Sequence, residues 1–192
     1  MSKIFNTPGL INISDASIPP HNSNLNTFYS KRISTPIGTM LAIADNDFLY
    51  LLEFETSPFL GRKITSICYD LKATIHTGTN EVITRLQEEL ELYFSGKLKK
   101  FSVNIKTVGT DFQRKAWSAV SEVPYGKTCS YKEQANNINK PSSFRAIANA
   151  NSANKIAIII PCHRIINRTG NIGGYSGGID KKLWLLEHEK TK

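Results

Sequence analysis

Apolar and polar positions alternate in the first half of the chain in short runs that predict β-strands. The run 28–35 alternates as a strand, and two further apolar runs, 40–44 and 48–54, flank the Asp-Asn-Asp segment 45–47. A short polar segment between two strand-like runs is typical of a β-hairpin. We therefore expect a small antiparallel sheet in this part of the chain.

The rest of the first half shows one helical pattern and one more alternating run. Residues 80–94 place apolar side chains at helical spacing, and Gly96 follows as a helix-ending residue. Phe101, Val103 and Ile105 alternate with polar residues and indicate another strand. This half shows no visible active site.

Helical spacing in the second half predicts three short helices. Two of them begin with capping boxes, at Thr110 and at Ser130, where a Gln or Glu stands three residues after the capping hydroxyl. Ser142 or Ser143 can cap the third helix, which is rich in alanine over 144–150. Two short helices joined by a tight break form the outline of a helix-turn-helix. The small side chains allow close approach either to another helix or to a nucleic-acid groove.

Cys162 and His163 stand between an apolar run and a glycine-rich loop. The run 156–160 has the length of a strand, and the ends of strands often present reactive groups. A thiol attacks as the thiolate, so a nucleophilic cysteine needs a base or a positive charge nearby, which His163 and Arg164 offer. A cysteine after an apolar run is also a common core residue. Both interpretations stay open on these residues alone.

The last segment combines the glycine-rich loop with a helix. Glycines surround Tyr175 and Ser176 and create a loop whose exposed amides can bind a polar ligand. A terminal helix is predicted from Asp180, its cap, to about Glu189. Its residues that we expect to be buried are Leu183, Trp184, Leu185 and Leu186.

Charge is distributed unevenly along the chain. Residues 1–108 contain 11 Lys and Arg against 10 Asp and Glu, whereas 109–192 contain 13 against 6. Nearly all of the net charge of +8 therefore lies in the C-terminal part. A basic half fits a polyanionic partner such as nucleic acid, and a solvated basic surface explains it equally well.

Cysteine spacing and hydropathy argue against several classes of protein. The three cysteines form no CxxC or spaced Cys/His set, so we expect no disulfide scaffold, no metal site and no cofactor. No apolar run reaches the ~20 residues that cross a bilayer, and residues 1–26 lack the pattern of a secretory signal. We expect no membrane partner and a cytoplasmic location, or a nuclear one in a eukaryote. The non-periodic segment 1–26 is expected to be an extended or disordered lead-in.

Three segments near the C-terminus, PCHRII, GGYSGG and KKLWLLEHE, resemble the active-site region of the O6-alkylguanine-DNA alkyltransferases. The similarity extends upstream through GTDFQRKAW, VPYGKTCSY and FRAIANAN. It is strong over residues 109–190 and rests on general layout alone over 28–108. The resemblance implies an α+β fold in two parts, a ribonuclease H-like domain over 27–107 and a helical, winged-helix-like domain over 108–192. The second part would contain the helix-turn-helix and the active site.

The resemblance also implies a chemistry. The family repairs DNA by direct reversal: it binds the minor groove of duplex DNA, flips the damaged nucleotide and transfers its alkyl group to a cysteine, here Cys162. The substrate would be O6-alkylguanine, with O4-alkylthymine as a second candidate. The thioether product would make the reaction single-turnover. His163 would act as the base through a water molecule, and Glu189 would orient it.

Further roles follow at matching positions. Tyr131 would rotate the phosphate of the flipped nucleotide and donate a proton to the leaving guanine. Asn154 would tie the turn before the cysteine to the active-site loop, and Arg145 would fill the base stack after flipping. The base pocket would comprise Ile165, Tyr175, Ser176 and Gly177, and other DNA contacts would come from Ser142, Ser143, Ala146 and Ala150.

The implied partner is double-stranded DNA that contains alkylated bases, bound by a monomer, with cooperativity along the DNA left open. Several positions depart from the family pattern. Lys155 stands where proline is usual, so the turn is expected to be less rigid. Phe144 stands where a small residue is usual, and Ala148 and Asn149 stand where glycine is frequent, which affects how closely the helix can approach DNA.

Other classes of protein explain part of the pattern. A DNA-binding regulator or lesion sensor would use the helix-turn-helix and keep Cys162 as a structural residue, but relatives that bind lesions without transfer lack the cysteine. A cysteine hydrolase would need an oxyanion hole and would not explain an alanine-rich helix with Arg145 in a basic half. A methylation-dependent regulator typically has an added zinc-binding module, for which the sequence shows no ligand set.

Overall fold

The computed structural model describes residues 26–191, and the predicted lead-in lies outside this range except for Asn26. Four strands form one sheet in the order β3-β2-β1-β4. Their bounds are β1 (Asn26–Ile33), β2 (Met40–Ala44), β3 (Leu49–Phe54) and β4 (Ala73–Thr77). Neighbours among β1, β2 and β3 are antiparallel, which confirms the predicted hairpin between β2 and β3.

The sheet is mixed, so the prediction of a purely antiparallel sheet is wrong. β4 pairs with β1 in parallel, with Asn26 opposite Ala73. The helix α1 (Leu60–Leu71) connects β3 to β4, and parallel strands need a crossover of this kind. The sequence did not predict β4 because its residues are partly or fully exposed and show no alternation of buried and exposed positions.

Two apolar segments that were expected to be strands are not strands. Ile105 and Ile156 each contact β3 through a single parallel bridge, to Leu49 and Leu52 respectively. Beyond Ile156 the chain turns repeatedly, and Ile158 has a φ of 70°. The alternation at 101–105 and the apolar run at 156–160 reflect which side chains are buried, and burial alone does not distinguish a strand from other buried backbone.

Helices make up most of the remaining structure. Those after α1 are α2 (Glu81–Phe94), α3 (Asp111–Ser121), α4 (Tyr131–Asn137), α5 (Phe144–Ser152) and α6 (Ile179–Thr191). Both predicted capping boxes, at Thr110 and Ser130, are confirmed. Ser143 occupies the N-cap position of α5, but its side chain makes no capping hydrogen bond. Asp180 lies in the first turn of α6 rather than at its cap.

The helices α3, α4 and α5 pack together through small side chains. Ala116, Ala135, Ile147 and Ala150 are buried in one apolar cluster between them. Trp117 of α3 donates its indole N–H to the Ala150 carbonyl at 2.8 Å, so α5 is attached to α3 by a buried hydrogen bond. Because the side chains at this contact are small, the three helices can pack at close range.

One hydrophobic core joins the two halves of the chain. Leu52 of β3 lies in the same buried cluster as Trp117 of α3 and Leu185 of α6. On α6 the predicted burial is correct for Leu185, whereas Leu183 and Trp184 are 47% and 37% exposed. Within residues 26–191, none of the helices has the length and apolar character required to span a bilayer.

Candidate active site

The thiol of Cys162 lies buried at the start of a short 3-10 turn, residues 162–164, and not at the end of a strand. Its sulfur is 3.3 Å from the side-chain amide nitrogen of Asn154. Burial raises the pKa of this thiol, and the hydrogen bond from Asn154 opposes the increase only in part. The resting cysteine is therefore a neutral thiol that must lose its proton before it can attack.

Asn154 holds the turn that precedes the thiol. Its amide nitrogen donates to the Ile160 carbonyl at 2.9 Å, and its side-chain oxygen accepts from the Ile156 amide at 2.9 Å. One side chain therefore contacts both ends of the segment 156–160 as well as the sulfur of Cys162. The structure brings together the two residues that the sequence paired.

His163 and Glu189 form a buried pair next to the cysteine in sequence. The ring Nε2 of His163 is 2.9 Å from Oε1 of Glu189, and both side chains are almost fully buried. Burial lowers the pKa of His163, and its contact with Glu189 opposes this only in part, so the ring is neutral at pH 7. With its proton on Nε2, the ring has a free lone pair on Nδ1, which no group among residues 26–191 hydrogen-bonds.

Glu189 accepts hydrogen bonds from several further donors. Arg164 donates from Nε at 2.8 Å and from Nη2 at 3.0 Å, Tyr93 donates its hydroxyl at 2.8 Å, and the Gly126 amide donates at 3.1 Å. Burial alone would raise the pKa of Glu189, but the hydrogen bonds from His163 and Arg164 lower it far below its usual range. Glu189 is therefore a permanently charged acceptor whose position is set by both halves of the chain.

Glycine is required where the chain passes Glu189. Gly126 has a φ of 72°, and a Cβ there would lie 2.7 Å from the Glu189 carbonyl oxygen. A side chain would therefore clash with backbone and move the carboxylate. The sequence motifs identified Glu189 and Arg164, but the contributions of Tyr93 and Gly126 become visible only in the fold.

Tyr131 lies at the first position of α4, beside the glycine-rich loop. Burial raises the pKa of its hydroxyl, and the nearby Cys162 contributes in the same direction. A Cβ at Gly173 would lie 3.2 Å from this hydroxyl, which shows how closely the loop approaches it. The tyrosine is therefore protonated at neutral pH and close to the thiol of Cys162.

A groove of about 710 Å³ runs between α4, α5 and the glycine-rich loop. Tyr131, Phe144 and Arg145 line it, together with the basic residues Lys132 and Arg168. Arg145 is exposed, and its guanidinium carbon lies 5.7 Å from the ring centre of Phe144, which is itself 50% exposed. Phe144 therefore points to the surface rather than into the core.

The other residues predicted to contact DNA differ in their exposure. Ser142 and Ala146 are exposed, and Ser143 is half-buried. Ala150 is only 2% exposed, because it packs in the cluster between α3, α4 and α5. The prediction for Ala150 is corrected accordingly, since its side chain does not reach the surface. Ala150 lies on the buried face of α5. The sequence could not predict this, because alanine occurs on both the buried and the exposed face of this helix.

The residues predicted to line the base pocket lie in or near the glycine-rich loop. Ile165, Ser176 and Gly177 are buried, and Tyr175 is half-buried. The Tyr175 hydroxyl is buried without a hydrogen-bond partner among residues 26–191, and burial raises its pKa well above its usual value. A Cβ at Gly177 would lie 2.5 Å from the ring of Phe54, so this position requires glycine because β3 passes so close to it.

The first half of the chain contributes directly to the site, so the expectation that it shows no part of the active site is wrong. Lys63 of α1 donates both to the Glu53 carboxylate and to the Asn154 carbonyl. The Ser176 hydroxyl donates to Glu53 at 3.3 Å. A glutamate inside the apolar strand FLYLLEF is the only sequence signal for this contact, since buried carboxylates need partners.

Two lysines fix backbone near the thiol. Lys182 of α6 donates to the Ile165 carbonyl at 2.5 Å, and burial lowers its pKa to about 8. Lys155 donates to the Val108 carbonyl at 2.8 Å, and burial lowers its pKa as well. The side chain of Lys155 thus anchors the turn in which the sequence predicted a loss of rigidity. No group of three or more potential metal ligands occurs within residues 26–191.

Comparisons with known proteins identify relatives of this chain. Residues 111–191 match the family model described as 6-O-methylguanine DNA methyltransferase, DNA binding domain. A methylated-DNA–protein-cysteine methyltransferase from Methanosarcina barkeri is 40% identical over 163 residues, which cover 85% of this chain and 98% of that protein. The protein of the same name from Mycobacterium tuberculosis is 48% identical over 105 residues, which cover 55% of this chain and 64% of that one.

Solved structures show the same architecture. The crystal structure of Mycobacterium tuberculosis OGT in complex with DNA superposes with a TM-score of 0.74 at 34% identity, over 86% of this chain and 93% of that one. The O6-methylguanine-DNA methyltransferase of Pyrococcus kodakaraensis is 22% identical with a TM-score of 0.62, over 84% of this chain and 98% of that one, and shows the fold alone.

Fold and site together define an α+β protein with a buried cysteine beside a histidine–glutamate pair. The extended similarity to the Methanosarcina barkeri protein identifies the class more closely. The chain belongs to the family of methylated-DNA–protein-cysteine methyltransferases, and it is a methyltransferase enzyme.

Proposed function

We propose that this enzyme repairs duplex DNA by moving the alkyl group of O6-alkylguanine irreversibly to Cys162. The observation that carries the proposal is the buried thiol of Cys162 in contact with Asn154, followed at the next residue by the buried His163–Glu189 pair. The relatives named as methylated-DNA–protein-cysteine methyltransferases support the same activity. O4-alkylthymine is proposed as a second substrate class.

The proton and electron pairs have defined destinations in this reaction. The thiol proton passes through a water molecule to the free Nδ1 of His163, and Glu189 stabilises the resulting imidazolium through Nε2. The sulfur then forms a bond to the alkyl carbon as the bond from that carbon to guanine O6 breaks. Tyr131 supplies a proton to the departing guanine, which leaves as the normal base. The cysteine ends as a thioether, so each molecule acts once.

Access to the lesion requires the nucleotide to leave the base stack. We propose that α5 lies in the minor groove, that Arg145 fills the gap, and that the flipped base enters the loop beside Tyr175. Exposed Arg145 and the basic groove that contains Lys132 and Arg168 support this arrangement. The OGT of Mycobacterium tuberculosis, which is similar in structure, has been crystallised in complex with DNA. Binding as a monomer is part of the proposal, and cooperativity is left open.

The finer features of the fold belong to the same proposal. The sheet order β3-β2-β1-β4 with a parallel edge pair supports a ribonuclease H-like N-terminal part over 27–107. Packing of α3, α4 and α5 supports a winged-helix-like C-terminal part over 108–192 with a helix-turn-helix.

The test is intact-protein mass spectrometry after incubation with a duplex that contains one O6-methylguanine. We expect one added methylene per chain, located by peptide mapping at Cys162, with unmodified guanine left in the DNA. Cys162→Ser should bind the duplex and gain no mass. Methyl uptake at Cys68 or Cys129 would refute Cys162 as the acceptor, and lesion binding without any mass change would indicate a sensor instead.

A further inference from the structure

A buried ion pair in the first half of the chain lies close to the acceptor thiol. Glu53 is at the end of β3 and Lys63 is in α1, and their side chains are 0% and 5% exposed. Neither residue belongs to the segments that resemble the family's active site. Because both side chains are buried, the need for a polar surface on β3 or α1 does not explain why these two residues are charged.

Each member of the pair contacts a different segment of the site. Lys63 donates to the backbone carbonyl of Asn154, whose side chain lies 3.3 Å from the sulfur of Cys162. Glu53 accepts from the hydroxyl of Ser176 in the glycine-rich loop at 3.3 Å and from the Phe54 amide at 2.9 Å. The pair therefore connects the turn before the thiol to the loop that follows it.

Stability alone is a poor explanation for burying these two charges. Removing a carboxylate and an ammonium from water costs about as much as their attraction returns, and apolar residues of similar size are often equally stable in such places. What an ion pair adds is a fixed geometry, since each charged group must keep its hydrogen-bond partners. Here those partners are Asn154 and Ser176, on both sides of Cys162 in the sequence.

We propose that the Glu53–Lys63 pair is a positioning element for transfer to Cys162, which sets the distance between the Asn154 turn and the Ser176 loop and biases the charge of the thiol. The proposal rests on the proposed function. The positive charge of Lys63 favours the thiolate, whereas the negative charge of Glu53 disfavours it. The pair acts through these neighbours and does not touch the alkyl group.

Other charged and titratable groups also act on the thiol. Lys182 of α6 favours the thiolate, as Lys63 does. Tyr131 and Tyr175 are protonated, and neutral His163 is the adjacent base. Glu53 also contributes to the raised pKa of Tyr175, but burial is the larger cause, so Tyr175 stays protonated in Glu53→Gln. Lys182, Tyr131 and His163 are kept in every variant, so a difference between the thiol titrations of two variants can be assigned to the pair.

The experiment measures the rate of Cys162 alkylation by free O6-benzylguanine as a function of pH. Lys63→Met should lower the rate at neutral pH about tenfold and move the midpoint of the pH–rate profile upward by about one unit. Glu53→Gln keeps an oxygen for Ser176 but removes the negative charge, so its midpoint should move downward. A role in folding alone predicts no opposite shifts.

Controls separate positioning from folding. Lys31→Met removes a lysine that donates to Gln87 at 2.8 Å and should leave the profile unchanged. The double variant Glu53→Gln/Lys63→Met leaves no unpaired charge, so it should fold even if a single variant does not. We expect it to have a near-normal midpoint but a reduced rate, because the contact with the Asn154 carbonyl is lost.

The outcomes also distinguish this proposal from the proposed function. Wild-type rates and midpoints in every folded variant, the double variant included, would overturn the positioning role, as would shifts of the two single variants in one direction. Failure of the wild-type protein to gain a methyl group from the O6-methylguanine duplex would refute the proposed function instead. In that case the pH dependence of Cys162 modification by iodoacetamide, with Cys129 as an internal reference, still tests the pair.

Discussion

Two buried carboxylates, Glu189 and Glu53, serve opposite parts of the same site. Glu189 belongs to the C-terminal half and accepts a hydrogen bond from Tyr93 of the first half. Glu53 belongs to the first half and accepts one from Ser176 of the C-terminal half. Each carboxylate therefore accepts a hydrogen bond from a residue in the other half of the chain.

The two carboxylates differ in the kind of side chain that they bind. Glu189 binds a histidine that changes its charge in the proposed reaction, and the permanent charge of Arg164 keeps the carboxylate ionised. Glu53 binds Lys63, whose other contact is a backbone carbonyl. In the proposed reaction, Glu189 takes part in proton transfer, whereas Glu53 sets distances.

The largest expected effect is on the side of Glu189. Glu189→Gln should lower the rate of alkyl transfer by about 100-fold or more, because an amide cannot stabilise the imidazolium and Arg164 loses its counter-charge. The measurement is the single-turnover rate with the methylated duplex, in parallel with Glu53→Gln. A larger loss in Glu53→Gln than in Glu189→Gln would reverse the assignment of the two roles.

Stability at acid pH should also depend on Glu189. Its pKa in the folded protein lies well below the ordinary value of about 4.3, so its contribution is fully present above that value and is lost as the pH falls toward the folded pKa. The free energy of unfolding should therefore decrease below about pH 4.5 in the wild-type protein and decrease less in Glu189→Gln. Urea unfolding across this range is the measurement, and equal slopes in the two proteins would contradict the prediction.

The smallest expected effects concern two of the hydrogen bonds that cross between the halves. Tyr93→Phe removes a 2.8 Å hydrogen bond and should cost about 1 kcal/mol of unfolding free energy with a few-fold loss of rate. Ser176→Ala removes a 3.3 Å contact and should cost less, since Glu53 keeps Lys63 and the Phe54 amide. Thermal unfolding of both variants shows which contact contributes more to the free energy of unfolding. A greater loss of stability in Ser176→Ala than in Tyr93→Phe would contradict this order.

The two carboxylates also show which parts of the candidate site could be predicted from the sequence. Glu189, His163 and Cys162 lie in short motifs, and the structure brings His163 to Glu189 and Cys162 to Asn154. The pairing of Glu53 with Lys63 depends on how α1 crosses from β3 to the edge of the sheet, and no local pattern encodes that packing. The parallel edge strand was missed for the same reason, because register between distant segments is set by tertiary contacts.

Fold prediction succeeded where local chemistry determines structure and failed where burial was the only signal. The capping boxes at Thr110 and Ser130 form because the hydroxyl of each capping residue lies one helical turn from its partner, the amide of Gln113 or the carboxylate of Glu133. The segment 156–160 looked like a strand because it is apolar, yet it pairs with β3 through a single bridge, between Ile156 and Leu52. Ala150 was predicted to be exposed because alanine occurs on both faces of a helix, so its identity does not show which face it occupies.

The bond from Lys63 to the Asn154 carbonyl limits how this protein can be divided or recombined. A fragment that begins at residue 109 would contain every motif residue, but its catalytic turn would lack an anchor and the apolar face that covers β3 would be bare. If the proposed positioning role holds, a chimera that joins this C-terminal half to the first half of a relative should reach the full transfer rate only if the donor supplies an acid and a base at the positions of Glu53 and Lys63. The smallest transferable unit is therefore larger than the segment that contains the motifs.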